Sequence, residues 1–207
     1  GPEIRRRIAS STASRGPLRK QIFPRHQIPL HKKILYNDTL TNSRLLYNCH
    51  TWNQLLDGEK NLLEAEYMKG YRMATRLKMK HHDDEHITNI QVLAKADRPS
   101  AGMYMTITRL KYLPRLLQHG PTILLSLLDA TAHGEDSWQN MILKDLEWLY
   151  QHLDEEQRPT KTLDLQEIVK AILAEPAGFR PKVIMAALRH LRLLHDAAHL
   201  QQWHTRL

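Results

Sequence analysis

Nine basic side chains, Arg5, Arg6, Arg7, Arg15, Arg19, Lys20, Arg25, Lys32 and Lys33, stand in residues 1–33 against the single acid Glu3. That block carries +8, which is the formal charge of the whole chain, so the remaining residues balance. Lysine and arginine grouped in this way suit phosphate contact, because each neutralised phosphate releases a condensed counterion. A solvated basic arm would have the same composition. Ile4 and Ile8 at helical spacing predict instead that the charges sit on a fixed face. Arg109, Lys111 and Arg115 make a second, smaller basic group.

Other chemistry-bearing residues are weaker. The run His81, His82, Asp83, Asp84, Glu85, His86 has metal-compatible side chains, but neighbours in one polar run rarely converge on an ion without distant ligands, and it reads as a loop leading into a helix. His195 and His199 lie one helical turn apart, as in zinc metalloproteases. Asp196 stands where that motif needs Glu, and no third ligand is evident. Cys49 has no catalytic His–Asn context and reads as a small buried residue. Trp52, Trp138, Trp148 and Trp203 could stack on bases, but beside Leu and Ile they are assigned to the core, as are Tyr67 and Tyr71. There is no glycine-rich phosphate loop. The expectation is no catalytic residue, no metal, no cofactor and no small-molecule substrate.

These residues need elements to position them. A chain of 207 residues, 42% hydrophobic, can bury a core as one domain or two small ones. The apolar stretch Ile123 to Leu128 is broken by Ser126 and closed by Asp129, and no run approaches the length of a membrane span. One cysteine makes neither an intrachain disulfide nor a zinc ribbon and fits a reducing compartment. The Ser- and Arg-rich, acid-poor start resembles an organelle transit sequence, and a first residue other than Met fits a processed or partial chain.

Proline and glycine punctuate helical stretches, and no alternating run argues a sheet. A basic amphipathic helix is expected from Glu3 to about Ser14, closed by Gly16-Pro17. A second should run from Leu30 to Tyr47, weak in the middle at Asn37, Asp38, Thr39, Thr41 and Asn42. Asp57 is the expected N-cap of a helix through Leu62, Leu63, Tyr67, Tyr71 and Leu77. Helices then follow over Ile87 to Ala94, Gly102 to His119 with a kink or restart at Pro114, and Ile123 to Leu128. The last are expected at Trp138 to Leu149, capped by Asp136 or Ser137, at Leu165 to Leu173, and at Lys182 to Trp203, where Ile184, Leu188, Leu191 and Leu194 form the core face. The charged segment 154–162 is the linker candidate.

Several segments, in order, resemble the C-terminal part of reverse transcriptases of non-LTR (LINE-type) retrotransposons. Glu3-Ile4-Arg5-Arg6-Arg7-Ile8-Ala9 resembles the family's Glu-Ile-x-x-Arg-Ile helix, which opens the thumb, and Ser14 to Phe23 resembles its continuation. Lys32-Lys33-Ile34-Leu35-Tyr36-Asn37 and Leu45-Leu46-Tyr47-Asn48-Cys49-His50-Thr51-Trp52 are similar to the family's Lys-x-x-x-(Phe/Tyr)-x and Leu-Leu-Tyr-Gly-x-x-Thr-Trp blocks. Thr108 to Leu117 resembles an Arg-Leu-x-(Trp/Tyr)-Leu-Gly-(His/Arg) block, with Pro114 in place of Gly, as Asn48 is in the earlier block. The likeness reaches to about Leu128. It implies a region downstream of the polymerase palm, whose Tyr-x-Asp-Asp hairpin holds the two Mg²⁺ ions; Asp83-Asp84 lies in a polar run without flanking strands and is no substitute.

The expected fold is all-α: a multi-helix, thumb-like bundle followed by further helices. Residues 1–53 would be a basic thumb-like segment, 54–128 a connector-like region and 129–207 a C-terminal helical region. The expected function is non-catalytic binding of nucleic acid, RNA before DNA, through phosphate contacts from the twelve basic residues above. Such a chain would serve beside other proteins in a large ribonucleoprotein, of which a mitochondrial ribosome is one example. The alternatives are a thumb and connector fragment of an active retrotransposon polymerase, and a purely structural subunit of a protein assembly.

Overall fold

The computed structural model describes residues 1–52, 54–77, 87–129, 138–154 and 165–204, and these are helical, with no strand among them. The expected all-α, multi-helix class is what the protein adopts. None of the described helices is long and apolar enough to cross a membrane.

Helix α1 (Pro2–Gln21) runs seven residues past its expected end and carries Pro17 inside it. Pro17 removes one ladder hydrogen bond and ordinarily breaks a helix. Burial of Arg15 and Leu18 on either side of it holds the following turn in register. Its buried face is Ile4, Ser11, Arg15 and Leu18, half of it polar, whereas Ile8 is only half-buried.

The expected weak middle of the second helix is real. Helix α2 (Leu30–Asn37) passes into a π-helical turn at Asp38–Asn42 and then into the single turn α3 (Ser43–Leu45). Thr, Asn and Asp side chains that compete for backbone partners cluster there. The Ser43 hydroxyl donates to the Thr39 carbonyl at 2.5 Å, and Asn42 Nδ2 donates to Tyr71 Oη at 2.9 Å. Asn48, in place of the Gly of the resembling block, has φ 54°, a left-handed conformation that Gly and Asn both tolerate. A 3₁₀ turn follows at Cys49–Thr51, and Cys49 is buried as expected.

Helix α4 (Asp57–Thr75) starts one residue earlier than expected: Asp57 is its first residue, and Leu56 N donates to Glu59 Oε2 at 3.3 Å. Helix α5 (Asn89–Ala96) opens with a capping box that the apolar pattern alone does not reveal. There Thr88 Oγ1 accepts from Gln91 N at 3.3 Å and Thr88 N donates to Gln91 Oε1 at 2.8 Å. Helix α6 (Ala101–His119) continues through Pro114 rather than restarting. Helices α7 (Thr122–Asp129), α8 (Trp138–Gln151) and α9 (Leu165–Ala174) fall where expected; the caps Asp136 and Ser137, the run 81–86 and the linker from 155 onward lie outside the described residues. Helix α10 (Pro176–His204) begins six residues early. Its buried face is Phe179, Val183 and Ala186, not the expected stripe, since Ile184 and Leu188 are exposed. The cause is spacing: the i, i+4, i+7 set that includes aromatic Phe179 is cut off when the helix is started after Pro181.

The chain divides into two compact units. Unit 1 comprises Gly1–Tyr47, Leu56–Gly102 and Leu191–Leu207; unit 2 comprises Asn48–Leu55 and Met103–His190. Unit 2 has an apolar core in which Leu110, Leu113, Leu116 and Leu117 meet Ile142, Leu146, Leu149 and Leu153, together with Ile168, Ile172 and the α10 face. Unit 1 is different. Leu45, Leu63, Tyr67, Tyr71 and Val92 are buried alongside Ser11, Arg15, Asn37, Thr41, Asn42 and Glu66. Arg15 is joined to Glu66 by a charge-assisted hydrogen bond, donates again to the Glu66 carbonyl at 3.1 Å, and Thr12 Oγ1 donates to Glu66 Oε1 at 2.8 Å.

Glu66→Ala should cost about 3–5 kcal/mol in urea unfolding, because it strands a buried guanidinium. Replacing both partners, Arg15→Met with Glu66→Leu, should recover most of that stability. A single-variant effect below about 1 kcal/mol, the range of a surface pair, would show that the pair does not organise unit 1.

Candidate nucleic-acid interface

Three of the twelve expected phosphate contacts are corrected by their burial. Arg15, Lys33 and Arg109 are only 4%, 5% and 8% exposed and are committed to internal partners. Arg15 holds Glu66. The Lys33 ammonium donates to the Phe23 carbonyl at 2.9 Å, and its pKa lies below the ordinary lysine value because burial strips its hydration and the Arg76 guanidinium adds like charge. Arg109 grips Asp145 through both carboxylate oxygens, at 2.5 and 2.9 Å, and Thr106 Oγ1 donates to the same carboxylate at 2.8 Å. Lys111 and Arg115 are exposed in unit 2. Partial burial and then the like charge of Arg180 push the Lys111 pKa down.

The other seven all fall in unit 1: Arg5, Arg6, Arg19, Lys20, Arg25 and Lys32 are exposed and Arg7 is half-buried. Unit 1 holds twenty Lys and Arg against eleven Asp and Glu, while unit 2 holds ten against eleven. The charge asymmetry seen along the chain is thus an asymmetry between units.

Two hollows in unit 1 collect these cations. The first, about 440 Å³, is lined by Arg6, Arg7 and Ser10 of α1 and by Ser43, Arg44 and Tyr47 around α3. Arg7 Nη1 donates to the Tyr47 carbonyl at 2.7 Å, and its guanidinium carbon lies 5.8 Å from the centre of the exposed Tyr47 ring, within cation–π range. Glu3 takes two hydrogen bonds of 3.0 Å from Arg6 and lies 2.7 Å from Arg7 Nε. Its carboxyl is held below the usual range, chiefly by the Arg6 hydrogen bond.

The α3 side of this hollow is carried by the π turn, and the π turn is pinned from within. Tyr71 Oη donates to Asp38 Oδ1 at 2.6 Å, and Arg98 Nε donates to Asp38 Oδ2 at 2.8 Å. Burial, with the negative charge of Asp38 beside it, pushes the Tyr71 phenol far above its ordinary pKa, so it stays a donor.

The second hollow, about 530 Å³, lies between the end of α1 and the end of α4. Arg19, Phe23 and Pro24 line one side, and Lys69, Arg72, Met73, Arg76 and Leu77 line the other. Arg76 ends α4 in the left-handed region, φ 61°, where its guanidinium reaches the Pro24 carbonyl at 2.5 Å and lies 3.1 Å from His26 Nδ1. Arg72 donates to Asn89 Oδ1 at 2.7 Å and to the Ile87 carbonyl at 3.1 Å. Burial lowers its pKa, and its Nη1 is enclosed without a hydrogen-bond partner among the described residues. Among the described residues the carboxylate paired with a lining cation is Glu66, 3.3 Å from Lys69 Nζ and already shared with Arg15.

At 100° per residue, Arg7 and Ser10 fall on one side of the buried stripe of α1, and Arg19 on the other. The exposed back of the helix between them carries Arg5 and Lys20 with the small residues Ala9, Thr12 and Ala13.

No protein-family model, curated protein or solved structure matches this chain.

Four lining cations, Arg44, Lys69, Arg72 and Arg76, were not among the expected contacts. Lys69, Arg72 and Arg76 have the i, i+3, i+7 spacing of one helical face, a signal present in the sequence. Arg44 has no such signal; only the fold brings it to Arg6 and Arg7. Among the described residues no group of His, Cys, Asp and Glu could hold a metal ion. His195 Nε2 lies 3.2 Å from Asp97 Oδ1. Tyr67 and Tyr71 are buried, as expected, and Trp138 and Trp148 pack on the unit 2 core.

Tyr71→Phe keeps the ring and removes the donor to Asp38. It should cost about 1–2 kcal/mol in urea unfolding and alter near-UV circular dichroism; an unchanged stability would mean that Arg98 alone pins the π turn.

Proposed function

We propose that unit 1 is a non-catalytic nucleic-acid-binding element that grips a sugar–phosphate backbone, with RNA as the expected ligand. The observation that carries this reading is the pair of cation-lined hollows on opposite flanks of α1, in the unit that holds the whole positive surplus. Arg6, Arg7 and Arg44 contact phosphates at one hollow, and Arg19, Lys69 and Arg72 at the other. Arg5 and Lys20 on the back of α1 bridge them for a strand crossing the helix. From Arg6 to Arg19 the axis advances about 20 Å, a span of several phosphates. The small side chains between leave the backbone room to lie close.

Buried Arg15, Lys33 and Arg109 serve the fold and take no part in binding. The resemblance to reverse-transcriptase thumbs agrees with this assignment, since it implies descent from a region that lies against nucleic acid while the chemistry belongs to the palm. On this reading the chain works as an RNA-contacting subunit of a larger ribonucleoprotein.

The logarithm of the affinity for a fluorescent single-stranded RNA should fall linearly with log salt between about 50 and 200 mM. Arg19→Ala with Arg44→Ala should reduce the slope by about 1.4, because each phosphate left without its cation on a single strand removes about 0.7. Lys182→Ala, in unit 2, should leave the slope unchanged. Binding that ignores salt, or a slope unmoved by the double variant, would end this reading and favour a structural subunit whose basic residues meet acidic protein.

A further inference from the structure

We infer that the hollow between the end of α1 and the end of α4 holds one unstacked nucleotide of a single strand, its base against the apolar wall of Pro24, Met73 and Leu77 and its phosphate on Arg19, Lys69 and Arg72. This rests on the reading of unit 1 as a backbone grip and specifies what that grip takes.

The lining is of two kinds, and neither alone explains it. A site for bare phosphate has no use for an apolar wall, because a phosphate gains nothing there and loses hydration. A site for an apolar ligand has no use for four cations. A nucleotide satisfies both, since every base has an apolar face that packs on side chains and every nucleotide brings one negative phosphate. The volume of about 530 Å³ lies in the range of small-ligand sites, about 300–1,000 Å³.

The distribution of charge points the same way. Arg19, Lys69, Arg72 and Arg76 line the hollow, and Lys33 lies close enough to Arg76 for their charges to repel. Among the described residues Glu66, bound by Arg15, Thr12 and Lys69, is the carboxylate paired with a lining cation. Arg72 is half-buried and its hydrogen bonds among the described residues go to neutral oxygens of Ile87 and Asn89, so they leave its charge uncompensated. A base inside a duplex is paired and stacked and cannot enter a hollow of this kind, whereas the splayed base of a single strand can.

The test uses the 207-residue protein. Adenosine 5′-monophosphate, ribose 5-phosphate and inorganic phosphate are titrated by heteronuclear NMR, and a ten-nucleotide single strand and its duplex then compete for the adenosine 5′-monophosphate site. The nucleotide should bind about tenfold more tightly than ribose 5-phosphate, a factor that base stacking supplies. The single strand should displace it, and the duplex should not. Arg19→Ala with Lys69→Ala, both at exposed positions, should weaken nucleotide binding about tenfold with unchanged circular dichroism. Met73→Trp, which fills the hollow, should block the nucleotide.

Equal binding of the nucleotide and ribose 5-phosphate, or nucleotide binding that the single strand cannot displace, would overturn the inference. Failure of nucleotide binding with salt-dependent strand binding intact would overturn it too, and would spare the backbone grip. A strand that does not bind at low salt would sink both.

Discussion

The buried ion pair between Arg15 and Glu66 is the constraint on which unit 1 depends. Two ionised groups taken out of water are costly unless each finds its partner and its remaining hydrogen bonds. The pair is satisfied in one arrangement: α1 laid on α4 so that Arg15 reaches both the carboxylate and the backbone carbonyl of Glu66, with Thr12 completing the shell. That docking sets the separation of the helix ends that frame the second hollow and turns Arg6 and Arg7 toward α3 on the other flank. It also holds α1 intact across Pro17, which by itself favours a break.

Further polar groups are packed among the apolar side chains of unit 1. Gly70 on α4 leaves room for the buried Asn37 amide: a Cβ there would lie 2.3 Å from Asn37 Oδ1 and would have to displace that side chain. Tyr67 and Tyr71 meet edge to face at 4.8 Å and lead their hydroxyls to the Pro99 carbonyl and to Asp38. Such networks contribute less to stability than apolar packing would, but they tolerate few alternative registers. Unit 2 is built on leucine and isoleucine with one buried bidentate pair, Arg109 and Asp145. Unit 1 thus mixes polar groups into an apolar interior and carries the positive surplus, whereas unit 2 has an almost wholly apolar interior and a nearly balanced charge.

Much of this was legible in the amino-acid order. Proline, glycine and apolar period located nearly every helix, since these are local effects of backbone sterics and of side chains at 3.6-residue spacing. The weakness at residues 37–42 was readable because Asn, Asp and Thr compete locally for backbone partners, and it is where the π turn lies. The charge excess, the burial of Tyr67, Tyr71 and Cys49, and the all-α class were readable for similar reasons. The face of α10 is hidden in the sequence because Phe179 lies before Pro181, a residue that ordinarily marks a helix boundary, while the helix runs through it from Pro176.

Which charges are surface and which are core was not legible in the same way. In the sequence Arg5, Arg15, Arg19 and Lys33 are equivalent cations in one basic block. Whether a guanidinium faces water or a carboxylate depends on residues fifty positions away, and no local pattern encodes that distance: Arg15 became a core residue because α4 delivers Glu66 to it, and Arg44 joined a cation cluster because the π turn swings α3 toward Arg6 and Arg7. Amino-acid order alone dictates the helices, the positive surplus and its place near the start of the chain, all consequences of short-range sterics and composition. Which cations gather around a hollow is left to the docking of helices, because proximity across fifty residues exists only once α1, α3 and α4 have packed.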